Sequence, residues 1–343
     1  MIKKVRIKNF KCYGDHPQDF NFSKINFIFG DNSTGKSTFL QALDLICTDY
    51  RILDKDYGTY VFKGEVNRTL EILTRLTSTD ANFETVLSLK KENEKELTSL
   101  TFLAGSTNIT GTAIGTAPHE QILKIMGNLH RQYHHVKAPR SKIAETSRAT
   151  SSLSSEKFAN TIMSSASIEY CDRTMKRLRL PYERKDRNNL FDTTLGVKVS
   201  LENVGAGIDN LIHLCDELYE WSEGENAGGI MVIEEPESHV NERQLSALTE
   251  FLVSETMETD ESKSKDSQLF IECHSELMAL ALRNLLKHKK ISPNDLSVAV
   301  ITRNSSGSQV TEIKMDDCGN FLTKWPDGGF FTERTKIIDK YFR

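Results

Sequence analysis

Residues 25–43 read Ile25-Asn-Phe-Ile-Phe-Gly30-Asp-Asn-Ser-Thr-Gly35-Lys36-Ser37-Thr-Phe-Leu-Gln-Ala-Leu43, and this stretch decides the fold. An apolar run, Ile25–Phe29, leads straight into a glycine loop, and apolar residues then recur at Phe39, Leu40, Leu43, Ile46 and Cys47 with helical spacing. The loop Gly30-Asp31-Asn32-Ser33-Thr34-Gly35-Lys36-Ser37-Thr38 matches GxxxxGK[ST] between strand and helix. That context predicts a P-loop. The glycines let successive N–H groups face phosphate oxygens, Lys36 reaches the β and γ phosphates, and the Ser37 hydroxyl ligates Mg²⁺.

Downstream, Gly229-Ile-Met-Val-Ile-Glu234-Glu235-Pro236-Glu237 is an apolar strand ending in consecutive carboxylates. A P-loop hydrolase needs one carboxylate to hold Mg²⁺ and another to polarise the attacking water. Glu234 suits the first role and Glu235 the second, because adjacent residues at a strand end point in different directions. The expectation is Mg²⁺-dependent ATP hydrolysis on an α/β P-loop fold.

Upstream and between these motifs, Val5, Ile7 and Phe10 alternate with basic residues as in a half-buried strand, and Glu84–Leu89 and Leu97–Leu103 read as further strands. Residues 141–167 are rich in Ser, Ala and Thr, and 173–187 are strongly basic. The division is therefore an N-terminal lobe over 1–140, a helical surface insertion over 141–195, and a C-terminal lobe over 196–343. Helices are expected after Gly207, over Leu245–Val253 and over Ser275–Lys290, with a strand at Leu269–Cys273.

The 343 residues carry a net charge of −4, so no global basic field recruits nucleic acid. The basic runs His130–Arg140 and Arg173–Arg187 leave three readings open: a nucleic-acid contact, a solvated helix face, or a partner interface. His134 and His135 have no carboxylate or thiolate close in sequence, which argues against a metal site there. Six scattered cysteines without a CxxC pair argue against a zinc knuckle or disulfide framework and fit a reducing cytosol. No apolar run approaches the roughly 18 residues that span a bilayer. A cytoplasmic protein with no membrane partner is expected.

The segments IKNFKCYG, INFIFGDNSTGKSTFLQAL, IMVIEEPE and LFIECHSE together resemble the ABC-type ATPase heads of the SMC, Rad50, RecF and OLD group. The resemblance implies a mixed central sheet, an N-terminal antiparallel β part, and heads that close in pairs around ATP. It implies that His274 is a switch histidine at the γ-phosphate, catalytic beside Glu235. It also makes NVGAGIDNLIHL a degenerate signature loop, whose Asn203, Gly205 and Gly207 would cover the γ-phosphate held by another subunit. Ser238 and His239 fall at the dimer-loop positions, and Phe10, Lys11 and Tyr13 are the candidates for contact with adenine. The C-terminal MDDCGNFLTKWPDGGFF and the run Tyr133–Arg140 resemble a bacterial AAA/ABC subgroup ending in Trp-Pro-x-Gly-Phe-Phe, often encoded beside a nuclease or toxin in anti-phage operons. That likeness implies an ATP-dependent homo-oligomer acting on a separate effector protein. The alternative is a repair or recombination ATPase that clamps nucleic acid. The gap between the two motif halves is too short for an SMC or Rad50 coiled coil, and nothing after Phe331 is long enough for a Toprim domain.

Overall fold

A computed structural model describes residues 1–47, 60, 62–64, 70–78, 81–91, 99–104, 107–111, 133–136, 164–224, 227–257, 267–326, 331, 336 and 338–340. In chain order the strands are β1 (Ile2–Lys8), β2 (Gln18–Asn21), β3 (Ile25–Phe29), β4 (Leu70–Ser78), β5 (Ala81–Lys91), β6 (Ser99–Ala104), β7 (Thr107–Gly111) and β8 (Tyr133–Val136). The later strands are β9 (Tyr182–Asp186), β10 (Asn189–Asp192), β11 (Val197–Ser200), β12 (Ile230–Glu234), β13 (Gln268–Cys273), β14 (Leu296–Asn304) and β15 (Gly307–Glu312). The helices are α1 (Lys36–Cys47), α2 (Ser165–Arg177), α3 (Ala206–Ser222), α4 (Glu242–Met257) and α5 (Glu276–Lys287).

The central sheet runs β15-β14-β3-β13-β12-β8, parallel except for the β14–β15 pair. A second, antiparallel sheet runs β2-β1-β4-β5-β6-β7. This is the mixed α/β architecture expected of an ATPase head.

Side-chain alternation divides each central strand between two cores. Phe27, Phe29, Met231, Ile233, Leu269 and Ile271 enter the core covered by α2–α5. Ile28, Val232, Phe270 and Ile301 enter the other, with Phe39, Leu40 and Leu43 of α1 and Val5, Ile7 and Phe20 of the antiparallel sheet. Lying between two sheets, α1 buries Ala42 and Leu45 as well as the single face its periodicity suggested. Phe39 stacks on Phe20 at 4.2 Å between ring centroids. Truncating such a side chain to alanine costs about 3–5 kcal/mol.

The expected helical insertion is different in kind. Residues 141–163 lie outside the described part, and between 164 and 195 the only helix is α2 among the described residues. β9, β10 and β11 form a three-stranded antiparallel sheet across 182–200. The segment is also no surface appendage. Tyr170, Cys171, Met175 and Leu190 belong to the main core. Periodicity marks β11, whose VKVS alternates, but does not reveal β9, because YERKD has no apolar alternation. Its inward residue is Arg184, 3% exposed and paired with Asp216 at 2.8 Å.

Candidate functional site

The P-loop sits where parallel β3 ends and α1 begins, so its backbone amides and the helix N-terminus face the same direction. Gly35 has φ 114°, and a β-carbon there would lie 2.6 Å from Ser308 Oγ and 2.7 Å from Cys12 Sγ. Only glycine satisfies both constraints. Tyr13 donates its hydroxyl to the Gly35 carbonyl at 2.9 Å and locks the curl from below. Lys36 is 3% exposed and donates Nζ to the carbonyls of Gly30 (2.9 Å) and Asp31 (2.8 Å). Burial pulls its pKa down, and Glu272 and Glu235 pull against that. Asp31, Asn32 and Ser33 form the exposed rim, with Thr34 tied inward to the Asp31 carbonyl and Thr38 part-buried on α1.

The carboxylates converge on this loop because of strand register. Glu234 and Glu272 are paired neighbours on β12 and β13, and alternation turns both toward the α1 side of the sheet. Ser37 donates Oγ–H to Glu272 Oε1 at 2.9 Å. Glu272 is 2% exposed, and burial pushes its pKa up to about 7. Glu234 instead faces His135, whose Nε2 lies 2.8 Å from Glu234 Oε1 and whose Nδ1 lies 2.8 Å from Asp44 Oδ1. Burial works to lower the His135 pKa, but the two carboxylates outweigh it and push the value up to about 9. The ring lies between the two carboxylates, hydrogen-bonded to Asp44 through Nδ1 and ion-paired with Glu234 through Nε2, and so links the end of β12 to α1.

Glu235 leaves the strand with φ 46°, a conformation rare for a non-glycine residue and frequent at functional sites. Its carboxylate is held on both oxygens: His274 Nε2 lies 3.1 Å from Oε1, and Ser238 donates Oγ–H to Oε2 at 3.1 Å. Half-buried Glu237 accepts the backbone N–H of His274 and so fixes where the histidine begins its turn into α5. One ligand atom each of Glu235, Glu272 and His274 lies within 4.8 Å of the others. With the Ser37 hydroxyl alongside, these oxygen and nitrogen donors suit a divalent cation such as Mg²⁺, and the P-loop amides with Lys36 suit polyphosphate.

Of the expected residues, the fold gathers the P-loop, Glu234, Glu235 and His274. It does not bring Asn203, Gly205 or Gly207 into this hydrogen-bonded cluster. Asn203 and Gly205 are exposed at the start of α3. Gly207 faces inward within the same chain, where a β-carbon would lie 2.2 Å from the His239 carbonyl oxygen. Gly207 is therefore required for packing of α3 against the Glu237–Val240 turn, whereas a β-carbon at Gly205 would meet nothing within 4 Å.

Glu272, His135 and Asp44 join the site without being expected there. A lone carboxylate inside the apolar strand LFIEC is a readable signal for Glu272. The acids that flank His135 come from positions 44 and 234, and no sequence spacing shows that. Of the adenine candidates, Phe10 and Tyr13 are fully buried. Lys11 lines a cavity of about 160 Å³ with Phe62, Lys63, Arg303, Asn304 and Ser305, and Arg303 reaches the P-loop by donating to the Ser33 carbonyl at 3.1 Å.

Most of His130–Arg140 lies outside the described residues, and within Arg173–Arg187 four cations pair inside the chain. Arg173 pairs with Glu223, Arg177 with Glu255, Arg184 with Asp216 and Lys185 with Glu183. The C-terminal aromatic segment has a packing role: Trp325 contacts Phe29 of the P-loop strand at 5.9 Å between centroids and meets Phe331 edge-on at 4.8 Å. The intervening residues 327–330 lie outside the described part. Among the described residues, no helix is long and apolar enough to cross a membrane.

Comparison with known proteins agrees with this fold. The SMC head domain from Thermotoga maritima superimposes with a TM-score of 0.58 at 13% identity, covering 92% of this chain and 99% of that one. An Smc head bound to the C-terminal winged-helix domain of ScpA gives 0.61 at 14% identity, covering 91% and 97%. A third is an Smc head with an extended coiled coil, bound to the C-terminal domain of ScpA and derived from Pyrococcus furiosus. It gives 0.60 at 11% identity, covering 100% and 99%. No curated protein sequence matches significantly. A family model described as AAA domain matches residues 4–287, most of the chain. The chain belongs to the AAA domain family, with the fold of an SMC-type head and the activity of an ATPase.

Proposed function

We propose that this chain is an ATP-gated head that closes on a second copy and passes its nucleotide state to a partner protein. The observation that carries the reading is the convergence of Ser37, Glu272, Glu235 and His274 at the mouth of the P-loop. The P-loop amides and Lys36 bind the triphosphate, and the cavity beside Lys11 and Arg303 takes the nucleoside end. Ser37 and Glu234 would hold Mg²⁺. Such an ion would supply positive charge against the phosphates. Glu235 accepts a proton from the attacking water, with its carboxylate aimed by His274 and Ser238. His274 then serves the γ-phosphate as well as the base. Gly205 and the N-terminus of α3 cover the γ-phosphate of the opposing copy, since an exposed helix N-terminus is a ready anion site.

A partner protein suits this reading because two of the similar heads have one bound. The nuclease or toxin expected from the C-terminal resemblance is its finer form, set in anti-phage defence, and a pull-down from native cells tests it. The nucleic-acid clamp is supported by the SMC-like fold, but the ion pairing of Arg173–Lys185 removes much of the basic surface it would use. Calorimetric titration of Mg-ATP tests the reading itself. The wild type binds, and Lys36→Ala loses most of the affinity while keeping its fold. Equal binding by both would contradict it.

A further inference from the structure

Glu272 is not part of the P-loop or of the acidic strand end, yet it is the carboxylate nearest the hydroxyl that the motif assigns to the metal. A carboxylate taken out of water costs several kcal/mol unless its oxygens are satisfied. One oxygen is: Oε1 accepts from Ser37 at 2.9 Å. The other, Oε2, is buried and has no hydrogen-bond partner among the described residues. Lys36, the cation nearest by sequence motif, spends two donors on the Gly30 and Asp31 carbonyls. The lateral neighbour on β12 is another acid, Glu234, whose own charge is met by His135. An unmatched buried carboxylate beside a second one asks for a cation.

The surroundings supply the rest of a coordination shell. Glu235 and His274 each bring an atom within 4.8 Å of Glu272, and Ser37 adds a hydroxyl. Two carboxylates, an imidazole and a hydroxyl suit Mn²⁺ and similar divalent ions as well as Mg²⁺. In most P-loop sites Mg²⁺ keeps several waters and leans on substrate phosphates, with only one or two protein carboxylates. This chain offers more.

The geometry points to Glu272 as a direct ligand of the divalent cation, which lets the chain take up metal ahead of nucleotide on Glu272, Glu235, His274 and Ser37. The inference rests on the P-loop being the nucleotide site. Metal-first loading would make the head sensitive to free divalent cation, in addition to ATP.

The test is Mn²⁺ titration into the full-length, nucleotide-free protein, with free Mn²⁺ followed by electron paramagnetic resonance. The wild type should bind one Mn²⁺ per chain. Glu272→Gln, which keeps the side-chain shape and the acceptor for Ser37, should weaken that binding by at least ~10-fold. Should this variant misfold, pulsed measurement on the wild type still decides: bound Mn²⁺ should show coupling to an imidazole nitrogen that His274→Ala removes. No stoichiometric Mn²⁺ binding without ATP, unchanged binding in folded Glu272→Gln, or no nitrogen coupling would each overturn the inference. The functional reading has its own readout. If Lys36→Ala abolishes ATP binding while Glu272→Gln leaves Mn²⁺ binding intact, the function stands and this inference falls.

Discussion

His274 Nε2 lies 3.1 Å from Glu235 Oε1, so the residue just past the end of β13 is anchored to the residue just past the end of its neighbour β12. The contact joins the two elements that must act on the same phosphate and water. On the proposed reading of Glu235 as the base, the contact makes His274 the group that aims it. His274→Ala should therefore keep ATP binding within a few fold and lower turnover by about 10²-fold or more. Phosphate-release kinetics beside calorimetry separate the two effects. Loss of binding with turnover per bound ATP unchanged would place the histidine elsewhere in the cycle.

Gly205 and Gly207 should respond differently to substitution, although both fall in the signature-like loop. A β-carbon at Gly207 presses on the His239 carbonyl, so Gly207→Ala should destabilise the monomer by about 1–3 kcal/mol, seen in urea unfolding. A β-carbon at Gly205 meets nothing within 4 Å, so Gly205→Glu should fold and bind ATP normally. Its added charge should still block ATP-dependent association, through repulsion of the opposing γ-phosphate. If Gly205→Glu associates like the wild type on light scattering, α3 does not close the second site.

Arg184 is the inward residue of β9, and its guanidinium meets Asp216 at 2.8 Å. Asp216→Asn leaves a buried cation without its charge partner. Stability should fall by about 3 kcal/mol, with the ATP site unaffected in a binding titration. A change below ~0.5 kcal/mol would show that water replaces the carboxylate at no cost.

Glu217 on α3 is held at a pKa of about 7, chiefly by burial and then by Asp216 and Glu220. Its unfolded value is about 4.5, so the folded state binds the proton more tightly. The stabilisation is complete below about pH 4.5 and is lost as pH rises through about 7. Glu217→Gln should flatten that loss. At pH 8 the variant should be more stable than the wild type by about 1–2 kcal/mol, an amount reduced by partial solvent access. Parallel pH profiles would refute the assignment.

The parts legible in the sequence are those where one chain segment carries its own logic. The apolar run into Gly30–Ser37, the carboxylates after Ile233 and the histidine after Cys273 each announce a strand end with chemistry on it. Glu272 shows in the sequence only as a lone carboxylate in an apolar strand, and its place beside Glu234, like that of His135, comes from register: β13 lies beside β12, and β12 beside β8. β9 is hidden by composition, since a buried arginine paired with an aspartate replaces the apolar alternation that betrays a strand. The signature-like loop is proposed by resemblance alone, and only the β-carbon geometry separates Gly207, which packs in its own chain, from Gly205, where a β-carbon meets nothing within 4 Å.

The central claim is that ATP closes two heads on each other and that Glu235 opens them by hydrolysis. Glu235→Gln keeps the shape of the side chain but cannot take the water's proton, so it should bind Mg-ATP, turn over none of it, and accumulate the closed form. Because ATP would then contact both copies, linkage requires it to strengthen their association. Light scattering after size exclusion of Glu235→Gln, with and without Mg-ATP, measures this directly. The account predicts a shift from monomer to dimer, or to a larger even assembly, with ATP alone. An oligomeric state that ATP leaves unchanged would contradict it.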